Sequence, residues 1–223
     1  MQHFDKDSID LFPSRYRASL INSLSGFKSA NLVGTVNGEG HTNLAMFSSV
    51  VHIGASPALV GLVMRPNSVS RHTLENIRET GQYTINQVSE SFWREAHQTS
   101  ARYEGYESEF ECTNLTPSYI EHHDAPFVEQ SRLKYALLLR EIVPITLNDT
   151  LFVIGEITDI LCDTDAVMED GYIDIEKLAT VSVSGLDSYH TTARLSRIQY
   201  AKPNETAQLI SLSGELYPLC DGQ

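Results

Sequence analysis

Between Met64 and Ile77 the chain reads MRPNSVSRHTLENI, and here much of its sparse positive charge is gathered. Arg65, Arg71 and His72 fall among Asn67, Ser68, Ser70 and Thr73, with no carboxylate before Glu75. The chain as a whole sets 16 Lys plus Arg against 29 Asp plus Glu, a formal net charge of −13. The pattern predicts a strand ending at Arg65, a break at Pro66-Asn67 and a helix starting near Ser68 or Ser70. A helix N-terminus carries unpaired N–H groups and a partial positive charge, so basic side chains are mildly unfavourable there unless an anion is bound. Backbone N–H groups, hydroxyls and an Arg fork together suit a phosphate. The same arginines suit surface pairing with Glu75 or Glu79, and spacing alone leaves both readings open. There is no GxxxxGK[ST] loop and no GxGxxG after a strand, so the anion is not held in the manner of a P-loop or a dinucleotide fold.

Other reactive residue types are less suggestive. The chain has eight histidines but no HExxH, no pair at i, i+4 and no CxxC. No metal is expected, and EHHDAP (121–126) reads as a solvated loop. VSVSGLDSYH (181–190) gathers Ser, Asp and His without the GxSxG elbow of a serine hydrolase. Phe92 and Trp93 lie on a helical stripe and are expected in the core. Cys112, Cys162 and Cys220 are few and far apart, which suits reduced thiols and a cytoplasmic protein. The acidity argues against nucleic acid as a partner. Neither a secretory leader nor an apolar run long enough to span a membrane is seen, so no membrane partner is expected.

The elements around the basic cluster are mainly β. PSRYRASLINSL reads as a helix after an acidic surface arm. NLVGTVN is a strand and NGEG a tight turn. TNLAMFSSVVHIG is strand plus loop, and PALVGLVMR a buried strand. SRHTLENIRETG is a helix stopped by Gly81, followed by the strand QYTINQV. SESFWREAHQTSARY reads as helix, SEFE as a short irregular or helical piece, and TPSYIEHHDAP as loop. RLKYALLLREIVPIT and TLFVIGEITDILC are long strands joined at LND, and IDIEKLATVSVSG is a short helix and then a strand. Strands without regularly interleaved helices favour an antiparallel barrel over a doubly wound sheet.

The ordered set NLAMFSS (43–49), RPNSVSRHT (65–73), SEFE (108–111), APFVEQS (125–131), LFVIGEI (151–157) and DGYIDIEKL (170–178) resembles the flavin reductase-like, FMN-binding split-barrel family over residues 29–200. The resemblance implies a mainly β fold, a six-stranded antiparallel Greek-key split barrel with a few short helices, forming a homodimer. It divides the chain into an N-terminal arm and helix (1–28), the flavin reductase-like domain (29–202) and a C-terminal tail (203–223). It also implies FMN as cofactor, with Asn43, Met46, Phe47, Ser48 and Ser49 along the isoalloxazine and Arg65, Ser70, Arg71, His72 and Thr73 at the ribityl phosphate. HQTSARY (97–103), Tyr189 and His190 are further pocket candidates.

The implied activity is hydride or electron transfer, in which the cofactors carry the chemistry and the protein positions them. NADH or NADPH is the implied donor. One departure bears on it. Family reductases that serve two-component monooxygenases often carry Gly-Asp-His before the Gly-Glu-Val strand, and its His is associated with nicotinamide binding. Here Asn148-Asp149-Thr150 stands there. Thr150 favours the family's flavoredoxin-like alternative, a carrier with bound FMN that serves a redox partner protein. A non-catalytic flavin-binding protein is the third reading.

Overall fold

The computed structural model describes residues 1–66, 72–104 and 107–217. The chain opens with two short helices, α1 (Lys6–Leu11) and α2 (Ser14–Ser23). Asp5 starts α1 by accepting the Ser8 N–H at 2.8 Å, satisfying one donor that a helix start leaves unpaired. Neither helix buries a residue, so the stripe of Tyr16, Leu20, Ile21 and Leu24 does not mark a core-facing helix.

The remaining elements follow in the order β1 (Lys28–Ser29), β2 (Asn31–Val36), β3 (Thr42–Phe47), β4 (Val50–Ala55), β5 (Ala58–Met64), α3 (His72–Thr80), β6 (Gln82–Gln87), α4 (Trp93–Gln98) and α5 (Glu109–Thr113). Then come β7 (Pro117–Ile120), β8 (His123–Val128), β9 (Leu133–Ile145), β10 (Thr150–Cys162), β11 (Ser182–Ser184), β12 (Ser188–His190), β13 (Arg197–Ile198) and β14 (Leu209–Ile210). The large sheet is antiparallel throughout and runs β3-β2-β6-β9-β10-β5-β4, seven strands where six were expected. The small sheet β1-β11-β12 adjoins it, the Val181 N–H donating to the Val88 carbonyl just past β6.

The connection from β3 to β4 dictates the shape. These strands lie at opposite ends of the sheet, yet only Ser48 and Ser49 separate Phe47 from Val50. Three virtual bonds span at most about 11 Å, whereas the outer strands of a flat seven-stranded sheet would stand about 29 Å apart. The sheet must therefore roll until its two edges meet at Ser48–Ser49. Register shifts in β10 between Ile154 and Gly155 and between Ile157 and Asp159 fit this, because bulges bend a strand and increase its twist. Gly61 and Gly155 permit close packing. An added Cβ would collide with the Phe152 ring at the first and the Tyr83 hydroxyl at the second.

Two cores result. Val33, Leu62, Met64, Leu74, Ile77, Tyr83, Ile85, Leu137 and Val153 form the inner one. Leu32, Leu44, Val88, Phe92, Ala96, Phe110 and Val183 form the second, on the other face of β2 and β3. All six residues of β2 are buried because both its faces are covered.

Several expected elements differ: the loop half of TNLAMFSSVVHIG is the strand β4, and the helix expected over SESFWREAHQTSARY is only Trp93–Gln98. The stretch taken as loop at TPSYIEHHDAP is the hairpin β7–β8, turned at His122 with φ 68°, a conformation few non-glycine residues adopt. IDIEKL lies in turns rather than a helix, with Ala179 at φ 53°. The hairpin also buries His123, whose exposure is 5%, against the expectation of a solvated loop. Its Nε2 is buried without a partner among the described residues.

Burial pushes the His123 imidazole below its usual range, against weaker opposing effects from a Tyr83 backbone hydrogen bond, Asp159 and Asp124. The unfolded chain takes up this proton near pH 6.5, the folded protein only at lower pH. The unfolded state therefore binds more protons below that value, and stability falls as pH drops through it. Urea unfolding of His123→Gln between about pH 7.5 and about pH 5.5 is expected to lose less stability than the wild type. Equal losses would contradict the assignment.

Candidate functional site

The corner where the barrel edges meet is polar on its backbone and apolar beside it. Ser49 joins it to β5 twice. Its hydroxyl donates to the Val63 carbonyl at 2.8 Å, and its carbonyl accepts the Val63 N–H at 3.4 Å. Ser48 is half-buried, and its hydroxyl bonds to no described residue. Arg65 lies two residues beyond Val63, roughly 7 Å along the chain. It is exposed and pairs with no described residue. The corner thus has a free hydroxyl, turning backbone and a free guanidinium close together.

Met46 and Phe47 flank this corner on opposite faces of β3, as strand alternation requires. Phe47 packs on the inner core, and Met46 on the second core with Trp93 and Tyr189. The two side chains thus serve different cores. Asn43 is 7% exposed, and its amide donates to the Thr73 hydroxyl at 3.0 Å and the Thr35 hydroxyl at 3.4 Å. Asn76 donates to Thr35 at 3.1 Å. These four buried residues tie β2 and β3 to the first turns of α3. Asn43 and Thr73 therefore position the strand and helix that border the corner.

His72 is half-buried and lines a partly open pocket of about 180 Å³ with Asn37, His41, Asn43, Asn76 and the carboxylates Glu75, Glu79 and Glu107. A phosphate there would face three acids, so this cavity does not suit an anion. Ser70 and Arg71 lie outside the described residues.

The β9–β10 turn reaches the same end of β5 as Arg65. Leu151 pairs with Met64 across the β10–β5 ladder, which places Thr150 beside Arg65. The Thr150 hydroxyl donates to the Asn148 side chain at 2.7 Å, so it is turned into its own hairpin. On the outer face of these strands, the Phe152 ring lies over Gly61 beside Ile53.

Of the remaining candidates, Tyr189 packs with Met46 against the second core. Tyr189 bonds His97 at 3.0 Å, and His190 bonds Ser184 at 2.8 Å. Trp93 has Arg94 at 4.6 Å and the Tyr189 ring at 5.1 Å and belongs to the second core. Among the described residues no carboxylate bonds His190, and no three His, Cys, Asp or Glu side chains are grouped to hold a metal. Glu109 was not anticipated. Its carboxylate is 7% exposed and accepts the Leu44 N–H at 2.8 Å. The only signal for it was an acid inside SEFE, read as a short irregular or helical piece and a family motif without a role for its carboxylates.

Together these features define an antiparallel split barrel with a polar corner at its seam. Residues 24–176 match the flavin reductase like domain, and the chain belongs to that family. It is similar to a candidate flavin reductase with a split barrel domain from Shewanella frigidimarina NCIMB 400, with 53% identity, TM-score 0.87 and coverage of 90% of this chain and 100% of that one. Nitrilotriacetate monooxygenase component B from Bacillus cereus shares the fold at 21% identity and TM-score 0.77, covering 91% of this chain and 98% of its own. Flavoredoxin of Desulfovibrio vulgaris (Miyazaki F) does so at 24% identity and TM-score 0.67, covering 80% and 92%.

The Asn43–Thr73 contact has a direct check. Asn43→Ala, Thr73→Ala and the double variant, compared by urea unfolding, are expected to show a coupling of about 1 kcal/mol, the worth of a buried hydrogen bond. Additive losses would show that the two residues act separately.

Proposed function

We propose that the protein is an FMN-binding oxidoreductase of flavin reductase type that takes electrons from NADH or NADPH. Within a chain of this family, the observation that carries the reading is the Ser48 hydroxyl at the barrel seam beside the strand end bearing Arg65, both without a partner among the described residues. An elongated ligand with a flat polar ring and an anionic end suits that pair. Ser48 and the Phe47–Ser49 backbone would hydrogen-bond the ring edge, and Arg65 with Ser70, Arg71 and the loop between them would hold the phosphate. Ser49, Asn43 and Thr73 act by fixing the elements on either side. His72, in the acidic cavity, is the weakest of the phosphate candidates.

Flavin supplies the hydride and electron chemistry, and the protein supplies position and hydrogen bonds. The outer face of β4, β5 and β10 carries Val51 and Ile53, 45% and 41% exposed, on an edge strand without a charged residue. Natural edges are usually blunted by charge, and this is the face proposed for the second protomer of a homodimer.

One observation favours a second reading, a flavoredoxin-like carrier for a redox partner protein. Thr150 has its hydroxyl turned away into the hairpin, so the position offers no imidazole to a nicotinamide.

The purified protein is expected to be yellow, or to become so with FMN. Ser48→Ala and Arg65→Ala should each weaken FMN binding by about tenfold, the loss of one charge-assisted or well-placed hydrogen bond. Glu79→Gln, in the acidic cavity, should not weaken it. Bleaching by NADH or NADPH in stopped flow would support the reductase, whereas bleaching only by dithionite or a reduced protein would select the carrier. A colourless protein that cannot be reconstituted would overturn both.

A further inference from the structure

The buried ionisable side chains outside the corner mostly have local structural partners. Lys134 donates to the Val128 and Glu129 carbonyls, and Asp174 pairs with Arg194. Glu109 is different. Its carboxylate accepts a backbone N–H of β3, the strand that leads into the Ser48–Ser49 corner.

β3 is the outermost strand of the sheet, and an antiparallel edge leaves alternate N–H groups facing outward. The Leu44 N–H is one of them. Two residues earlier, the Thr42 hydroxyl meets the Ser108 hydroxyl at 2.8 Å. The start of α5 thus caps this edge at two points, and Phe110, buried in the second core, anchors it there. Burial pushes the Glu109 carboxyl upward, opposed by the Leu44 hydrogen bond, its own backbone N–H and His72. A buried charge costs stability that a neutral amide with the same acceptor would spare.

We propose that Glu109 is a positioning residue for the flavin site: its carboxylate latches the outer edge of β3 at Leu44 and so fixes the strand that delivers Ser48 and Ser49 to the barrel seam. The latch leaves the donors of the corner free for a ligand. This rests on the flavin reading above. Because Glu109 does not touch the corner, its effect runs through the strand.

The test compares Glu109→Ala and Glu109→Gln with the wild type by residue-resolved amide exchange without ligand and by FMN titration. Glu109→Ala is expected to speed exchange from Leu44 to Ser49 while β6 and β9 exchange as in the wild type. It should also weaken FMN binding by about tenfold. Glu109→Gln keeps an acceptor for the Leu44 N–H and should restore affinity to within about threefold. The proposal is overturned if exchange rises equally across the sheet, if Glu109→Ala binds FMN as the wild type does, or if Glu109→Gln is as impaired as Glu109→Ala. If the wild type itself binds no FMN, the flavin reading fails. Exchange confined to β3 then still supports the latch, and uniform exchange still overturns it.

Discussion

The two-residue link between the outermost strands is the constraint from which the rest of the structure follows. Two residues between strands usually make a hairpin, with the strands paired to one another. Here β3 and β4 pair instead with β2 and β5, at opposite ends of a seven-stranded sheet. A link this short can join them only if the sheet closes on itself. The seam is then a place where the backbone turns between two edge strands, held to β5 at Ser49, and where side chains from β3, β5 and the β9–β10 turn converge. Ser49 spends its hydroxyl holding the seam to β5, which leaves Ser48 as the free group.

A seam of this kind works as a site only if its borders are held still. Two polar devices do this from opposite sides of β3. Asn43, Thr35, Thr73 and Asn76 join the strand to α3 through fully buried hydrogen bonds. Glu109 and Ser108 cap its outer edge. Buried polar groups that are satisfied specify one arrangement, while unsatisfied ones are costly. The charge distribution follows the same division of labour. Acids collect around the cavity beside α3, while the corner keeps an unpaired arginine. The acidic pocket and the corner bearing Arg65 are therefore different places.

Much of this was legible in the sequence where local pattern and tertiary role agree. The strand-like NLVGTVN of β2, the apolar run of β5, the NGEG turn, Gly81 at φ 72° after α3 and the long β9–β10 pair all follow from composition and turn chemistry. The β7–β8 hairpin was not legible, because its polar residues and a histidine at positive φ mimic a loop. NLAMFSSVVHIG read as a strand and a loop, and no local pattern shows that its halves lie at opposite ends of a sheet. Asn43 read as a ligand contact, yet its partner Thr73 is 30 residues away. Residue type marked it as polar and special, and only the fold shows what it bonds.

Amide hydrogen exchange with and without FMN tests most directly whether the seam is the site. The account predicts ligand-induced protection at Phe47–Val50 and at Met64–Pro66, with little change at residues 37–42 and 75–79 around the acidic cavity. Protection centred on the cavity residues, with the seam unchanged, would contradict it.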